Sequence, residues 1–280
     1  MRVLSGAGEA DKGRMNLIKV ANETIRICKE AKYEAEGTRV VFPQGRYDSV
    51  ELITPKMGED LLAAEAKAKD SGKMCSILVQ NSDSYAAARA FDHALVMNFA
   101  NAHNPGGGFR IGATAQEEAL CRCSTLYESI TSKDAAEMYK YNNTHISNVE
   151  SDYMLISPEV LVFRNENLDL LKEPFRTAVL TVPAPNRFGA AMFASSEKIR
   201  DTFLRRIRIM LRAAAERGYR DLVLGAWGCG AFGNKPEEVA GYFRQVILEE
   251  KEGAAFDTIC FAIYGSENGK NITAFREVFR

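Results

Sequence analysis

The spacing of apolar and polar positions changes along the chain. Near the start, Leu17, Ile18, Ala21, Ile25 and Cys28 recur at helical spacing, so the first 35 residues read as helix. Arg39-Val-Val-Phe42 and Val50-Glu-Leu-Ile53 then predict short strands around the turn-rich Pro43-Gln-Gly-Arg46, and residues 59–70 read as helix. From there strands alternate with helices. Residues 75–80 are expected to form a buried strand, 83–91 a short helix, 94–99 a strand and about 116–130 a helix. Further strands are predicted at 160–163, 178–182, Asp221–Leu224 and 256–264, with helices over about 195–217 and 236–251. Such alternation implies an α/β sandwich with much of its sheet covered on both faces. No repeat or linker interrupts it, so one domain carrying an N-terminal extension is expected.

Composition narrows the partners. The chain has 280 residues with 36 basic and 37 acidic side chains, a net charge of -1, and 46% hydrophobic residues. A chain of that length buries roughly three quarters of its unfolded surface and needs no staples. With charges so balanced, no global field draws the protein onto nucleic acid or an anionic membrane, so a polyanionic partner has to be held by a local site. None of the six cysteines forms a C-x-x-C pair, and Cys121 and Cys123 point in different directions on a helix. Free thiols in a reducing compartment are the expectation, with no zinc site and no disulfide framework. No run of 18 apolar residues occurs, which predicts a cytoplasmic protein. The long helix carries Lys198, Arg200, Arg205, Arg206, Arg208, Arg212 and Arg217 on one side; it is either a landing strip for a phosphate-bearing polymer or, as Glu197, Asp201 and Glu216 favour, a solvated face.

The candidate chemistry sits in two glycine-rich loops. The first runs Asn98-Phe-Ala-Asn-Ala-His-Asn-Pro-Gly-Gly-Gly108 and leads to Gln116-Glu-Glu118. Three glycines in a row let a ligand approach the backbone closely. Thr114-x-x-Glu117 has the form of a capping box, which starts the helix near Ala115 and gives Glu117 a capping duty, whereas Glu118 has none. At a helix start the dipole favours charged carboxylates, while mutual repulsion and burial raise the pKa of one of them. The second loop, Leu224-Gly-Ala-Trp-Gly-Cys-Gly-Ala-Phe-Gly-Asn234, contains G-x-G-x-x-G between a strand and a helix. The next strand lacks an acidic residue for a ribose and only 47 residues follow Gly233, so a dinucleotide-binding domain is disfavoured. Backbone N–H groups suited to a diphosphate remain, with Trp227 and Phe232 as exposed aromatics.

Gly106-Gly-Gly108 followed by Gln116-Glu-Glu118 resembles the signature of poly(ADP-ribose) glycohydrolases, and Asn98–Pro105 as quoted with Leu224-Gly-Ala-Trp-Gly-Cys-Gly230 is similar to their microbial-type branch. Ser157-Pro-Glu-Val160 and Val182-Pro-Ala-Pro-Asn186 extend the likeness over about residues 15 to 265. The resemblance implies a macrodomain-like three-layer α/β/α sandwich with a mixed central sheet, residues 72–280, preceded by an N-terminal helical extension, residues 1–71. It implies no metal and no cofactor. Glu118 would protonate the departing ribose oxygen and then activate water, Glu117 would orient the ribose hydroxyls, and Asn101 would hold the ribose of the scissile bond. Gly106, Gly107 and Gly108 would form the catalytic loop beside Gln116; Gly228, Cys229, Gly230 and Ala231 would line the diphosphate, and Phe232 would stack on the adjacent ribose or adenine. Phosphate recognition is expected to rest on backbone amides of both loops. The substrate would be poly(ADP-ribose) or ADP-ribosylated macromolecules and the product ADP-ribose, with no membrane and no sequence-specific nucleic acid as partner. Alternatives are removal of single ADP-ribose units, a non-catalytic ADP-ribose reader, and, less favoured, a cysteine hydrolase using Cys229. His93, His103 and His145 read as loop or packing residues.

Overall fold

A computed structural model of the chain describes residues 5–64 and 75–280. Helix α1 (Ser5–Glu30) leads into a hairpin of β1 (Lys32–Ala35) and β2 (Thr38–Val41), where a helix to residue 35 was expected. Ala31 and Glu36, at positive φ, turn the chain there. Short β3 (Glu51–Ile53) and α2 (Pro55–Ala63) follow; Thr54 caps α2, its side chain accepting from Met57 N, and a proline opens it. The rest of the helix expected to residue 70, and the domain boundary expected at 71/72, lie outside the described residues.

The remaining strands are β4 (Ser76–Gln80), β5 (Leu95–Ala100), β6 (Met154–Arg164), β7 (Leu170–Pro183), β8 (Asp221–Leu224) and β9 (Thr258–Ala262). Among the described residues they form with β3 a seven-stranded mixed sheet in the order β3-β6-β7-β5-β8-β9-β4. Period-two alternation explains how it is covered. Leu95, Met97, Leu222, Leu224, Ile259 and Phe261 enter one core, and Val96, Val223 and Cys260 enter the other. The first core is closed by α2, the long α7 (Ser196–Glu216), α8 (Pro236–Arg244) and α9 (Lys270–Val278). The second is closed by α1, α3 (Ser84–Ala88), α4 (Gln116–Cys123), α5 (Leu126–Ile130) and α6 (Ala136–Thr144).

Several expectations need correction. Among the described residues β4 is an edge strand paired only with β9, its residues alternately exposed and half-buried, so its apolar run does not make it a buried strand. The helix predicted over 116–130 is broken into α4 and α5. There Ser124 is extended and bridges Val162, and Thr125 exchanges hydrogen bonds of 3.0 Å with Leu161. Docking onto β6 thus overrides helical periodicity. Only the start of α7 keeps a solvated basic face, where Lys198 and Arg200 are exposed and Arg200 pairs with Asp201 of its own helix; the later arginines are tied inward. Arg206 is 0% exposed and donates to Asp152 and to the carbonyls of Pro183 and Val149. Arg205 shares Asp152, Arg208 grips Glu250, Arg212 reaches Glu252 and the last carbonyls of α2, and Arg217 pairs with Glu51. Their forked donors tie the helix to its surroundings.

Strands β4, β5, β7, β8 and β9 are mutually parallel, so their following loops gather at one end of the sheet. Pairing of β5 with β8 stops after Val96↔Val223, whereas pairing with β7 runs to Ala100↔Pro183. This parting beyond the carboxyl ends opens a crevice, the usual place for a ligand in such sheets.

Candidate active site

The loop after β5 is wound around two carboxylates. Asn101 Oδ1 accepts from the amides of His103 and Asn104, each at 2.9 Å, and so turns the chain back toward α4. Gly106 and Gly107 then adopt φ of +74° and +55°, and a Cβ on Gly107 would collide with Glu118 Oε1. Glu117 and Glu118 occupy the first turn of α4 and are only 3% and 7% exposed. Glu117 accepts from Asn98 Nδ2 at 3.3 Å, Asn101 N at 2.8 Å and Gly106 N at 3.3 Å. Glu118 Oε1 accepts from Gly108 N at 2.8 Å, while its buried Oε2 has no hydrogen-bond partner among the described residues. The expected capping box does not form: Ala115 is the N-cap, without a side-chain bond, because Glu117 is drawn into the loop by three competing donors.

Gln116 is a bridge at the edge of the cleft. Its amide accepts from Phe99 N at 2.9 Å and donates to Met97 O at 2.7 Å and to Ser84 Oγ at 3.2 Å. It continues the ladder of β5 where β8 has left, and anchors the start of α4 to the sheet. Burial pushes the Glu117 carboxyl up to about 8; the charge of Glu118 adds to this, and the N–H donors of Asn101, Asn98 and Gly106 oppose it.

The loop after β8 is built differently. Its amides at Trp227, Cys229, Gly233 and Asn234 bond carbonyls within or near the loop, whereas those of Gly230, Ala231 and Phe232 make no bond to the described residues. Gly228, Gly230, Ala231 and Phe232 line a cleft of about 540 Å³, together with Phe99, Gln116, Tyr264 and Asn271. Asn234 holds the loop from behind: its Nδ2 donates to Pro185 O and Gly228 O, and its Oδ1 accepts from Arg187 Nε. The expectation that both loops offer amides to a ligand therefore narrows: the amides of Gly106, Gly107 and Gly108 all donate inside the protein, and those of Gly230, Ala231 and Phe232 do not.

One further expectation fails, and a disfavoured alternative loses its nucleophile. Trp227 is 0% exposed, donating Nε1–H to Val182 O at 3.2 Å, because it fills the core beneath the loop. The side chain of Cys229 also turns into that core, and burial pushes its thiol up to about 12, which leaves no nucleophile. Cys229 can meet a ligand only through its backbone. His93 stacks on Tyr219 and His145 on Tyr141.

The structure thus gathers Asn101, Gly106, Gly107, Gly108, Glu117 and Glu118 into one cluster and Gly228, Gly230, Ala231 and Phe232 into the cleft, with Gln116 joining them. Asn98 and Thr181 went unnoticed in the sequence. Asn98 is fully buried and its Nδ2 bonds both Glu117 and Thr181 Oγ1, so it sets the carboxylate's position. A lone amide inside Leu95-Val-Met-Asn-Phe99 was the available signal, since a buried polar group needs partners. Among the described residues no cluster of His, Cys, Asp and Glu is placed to hold a metal, and no helix is long and apolar enough to cross a membrane.

Comparison with known proteins adds the family. Residues 21–165 match the model of the microbial-type PARG catalytic domain. No curated protein sequence matches significantly. The crystal structure of poly(ADP-ribose) glycohydrolase from Thermomonospora curvata is 35% identical, with a TM-score of 0.88 over 95% of this chain and 100% of that one. The same enzyme bound to the inhibitor ADP-HPD is 34% identical, with a TM-score of 0.85 over 94% and 99%. The enzyme from Deinococcus radiodurans in complex with ADP-ribose is 37% identical, with a TM-score of 0.76 over 82% and 93%. A mixed sheet covered by helices on both faces, two glycine loops at one end of it, and these matches together establish that the chain belongs to the microbial-type poly(ADP-ribose) glycohydrolase family.

Proposed function

We propose that this protein hydrolyses the ribose–ribose O-glycosidic bonds of poly(ADP-ribose) and releases ADP-ribose, with Glu118 as the proton carrier. The observation that carries the reading is the state of Glu118. One oxygen is fixed by Gly108 N, and the other is buried without a partner, as a group that awaits a substrate oxygen would be. The diphosphate lies against the free amides of Gly230, Ala231 and Phe232, where N–H groups supply the positive potential that the near-neutral chain lacks. Phe232 packs on the neighbouring ribose or base, and Asn101 and Glu117 hold the ribose hydroxyls.

Glu118 then gives its proton to the departing ribose oxygen as the bond breaks through an oxocarbenium-like state. The same carboxylate, now ionised, takes a proton from the attacking water. Glu117 is fixed in place by Asn98, Asn101 and Gly106, which suits it to orienting the ribose and leaves the proton transfers to Glu118. The scheme needs no metal or cofactor. The catalytic part is a macrodomain-like core of residues 72–280, completed by edge strand β3 and helix α2 from the N-terminal extension of residues 1–71, acting in the cytoplasm.

Chromatography of products from defined poly(ADP-ribose) tests this directly. The wild type is expected to release ADP-ribose, and Glu118→Gln to lose roughly 10²–10⁴-fold in turnover while still binding ADP-ribose. Full turnover by the variant removes Glu118 from the mechanism. Release only from mono-modified substrates points to the single-unit reaction, and binding without any product points to a reader.

A further inference from the structure

The segment between β7 and α7 carries side chains that the chemistry above does not use. Phe188 is 75% exposed, Met192 59% and Phe193 84%. Exposed aromatics usually sit on loose loops, but this segment is firmly built. Asn186 Oδ1 accepts from Phe188 N, Asn186 O accepts from the amides of Gly189 and Ala191, and a short 3-10 turn spans Ala190–Phe193. Arg187 clamps it to the cleft: its backbone N donates to Phe232 O at 3.0 Å, its Nε to Asn234 and its Nη2 to Glu238. The Phe188 ring lies against Gly233, the residue after cleft-lining Phe232, so close that a Cβ there would overlap it. The apolar surface is therefore continuous with the wall of the cleft and fixed to it on the side of the phosphate loop.

We infer that Phe188 and Phe193 form a stacking shelf for the adenine of the polymer unit next to the one held in the cleft. The inference rests on the polymer-hydrolysing reading above. A cleft of about 540 Å³ has room for one nucleotide-sized unit, so a bound polymer must leave over the rim. Every unit of that polymer carries an adenine, whose flat apolar face suits a rigid aromatic and needs no charge from the protein. Rigidity matters because the backbone that carries the rings is already fixed before the base arrives, so only side-chain freedom is lost on stacking. The shelf would make a polymer bind more tightly than a single ADP-ribose.

The test compares Phe193→Ala and Phe188→Ala/Phe193→Ala with the wild type, measuring KM and kcat on poly(ADP-ribose) and Kd for ADP-ribose. The same shelf substitutions in the Glu118→Gln background give polymer Kd without turnover. The double variant is expected to raise KM and Kd for polymer by about tenfold, with kcat and ADP-ribose Kd within about twofold of wild type, and Phe193→Trp to keep the polymer affinity. Unchanged polymer affinity overturns the shelf. So does an equal weakening for ADP-ribose, which makes these rings supports of the phosphate loop. If the wild type releases no ADP-ribose from polymer, the hydrolase reading fails, and the polymer Kd values still decide whether the shelf exists.

Discussion

The two glycine-rich loops look alike in sequence and do opposite things with their backbones. In the loop after β5 the amides point inward: Gly106 donates to Glu117, Gly107 to Asn104 O and Gly108 to Glu118. In the loop after β8 three consecutive amides, Gly230 to Phe232, have no partner among the described residues, while its buried side chains, Trp227 and Cys229, anchor it in the core. One loop uses glycine to bring main chain against carboxylates that would otherwise be crowded out. The other uses it to leave main chain open to a ligand. A buried amide must be satisfied and an amide lining a cleft need not be, so burial decides which role a glycine run takes.

Crossed substitutions put that contrast at risk. Gly107→Ala forces a side chain into φ +55° and against Glu118 Oε1, with Glu117 Oε2 only 3.3 Å away. It is expected to cost about 1–2 kcal/mol of stability and, by displacing the acid, roughly 10²-fold in kcat, with ADP-ribose Kd little changed. Gly230→Ala has neither problem, since a Cβ there meets nothing within 4 Å and its φ is not positive. Thermal unfolding should be unchanged to within about 0.5 kcal/mol, while ADP-ribose Kd weakens by roughly tenfold and kcat is largely kept. If Gly107→Ala acted on Kd and Gly230→Ala on kcat, the division of labour would be wrong.

A gentler probe reads the inward loop through pH. Burial holds the Glu117 carboxyl near 8, above the 4.5 of a free carboxyl, so the folded state binds its proton more tightly than the unfolded one. That contribution to stability is fully present below about pH 4.5 and is lost as pH rises through 8, on the order of a few kcal/mol in all. Denaturant unfolding from pH 4 to 9 should show the decline for wild type and lack it in Glu117→Gln. A constant difference between the two proteins across that range would mean that the loop's N–H donors, and not burial, control the carboxyl.

Much of this was legible in the residues. Period-two and period-3.6 patterns located most strands and the long α7, and the glycine runs with Gln116-Glu-Glu118 marked the site before any fold was known. What escaped was decided by neighbours far along the chain. The helix over 116–130 breaks because Ser124 and Thr125 meet β6, about 36 residues away. β4 is apolar yet lies at an edge, since nothing in its own residues says how many strands flank it. Trp227 looked exposed because the space it fills is made by Phe203 and Phe243 from α7 and α8.

The sequence alone therefore determined the kinds of element, the near-neutral charge that rules out bulk attraction of a polyanion, and which residues are candidates for the chemistry. Those depend on side-chain identity and on spacings within one turn or one strand. Only the tertiary structure decided the direction in which groups face. It turned Gln116 into a surrogate for strand pairing, Glu117 into a clamped partner of Asn98, the α7 arginines from Arg205 onward into internal ties, and one glycine loop inward while the other stayed open. Each of those outcomes is set by where a backbone or side-chain polar group finds its hydrogen-bond partner, and the partners come from segments that only folding brings together.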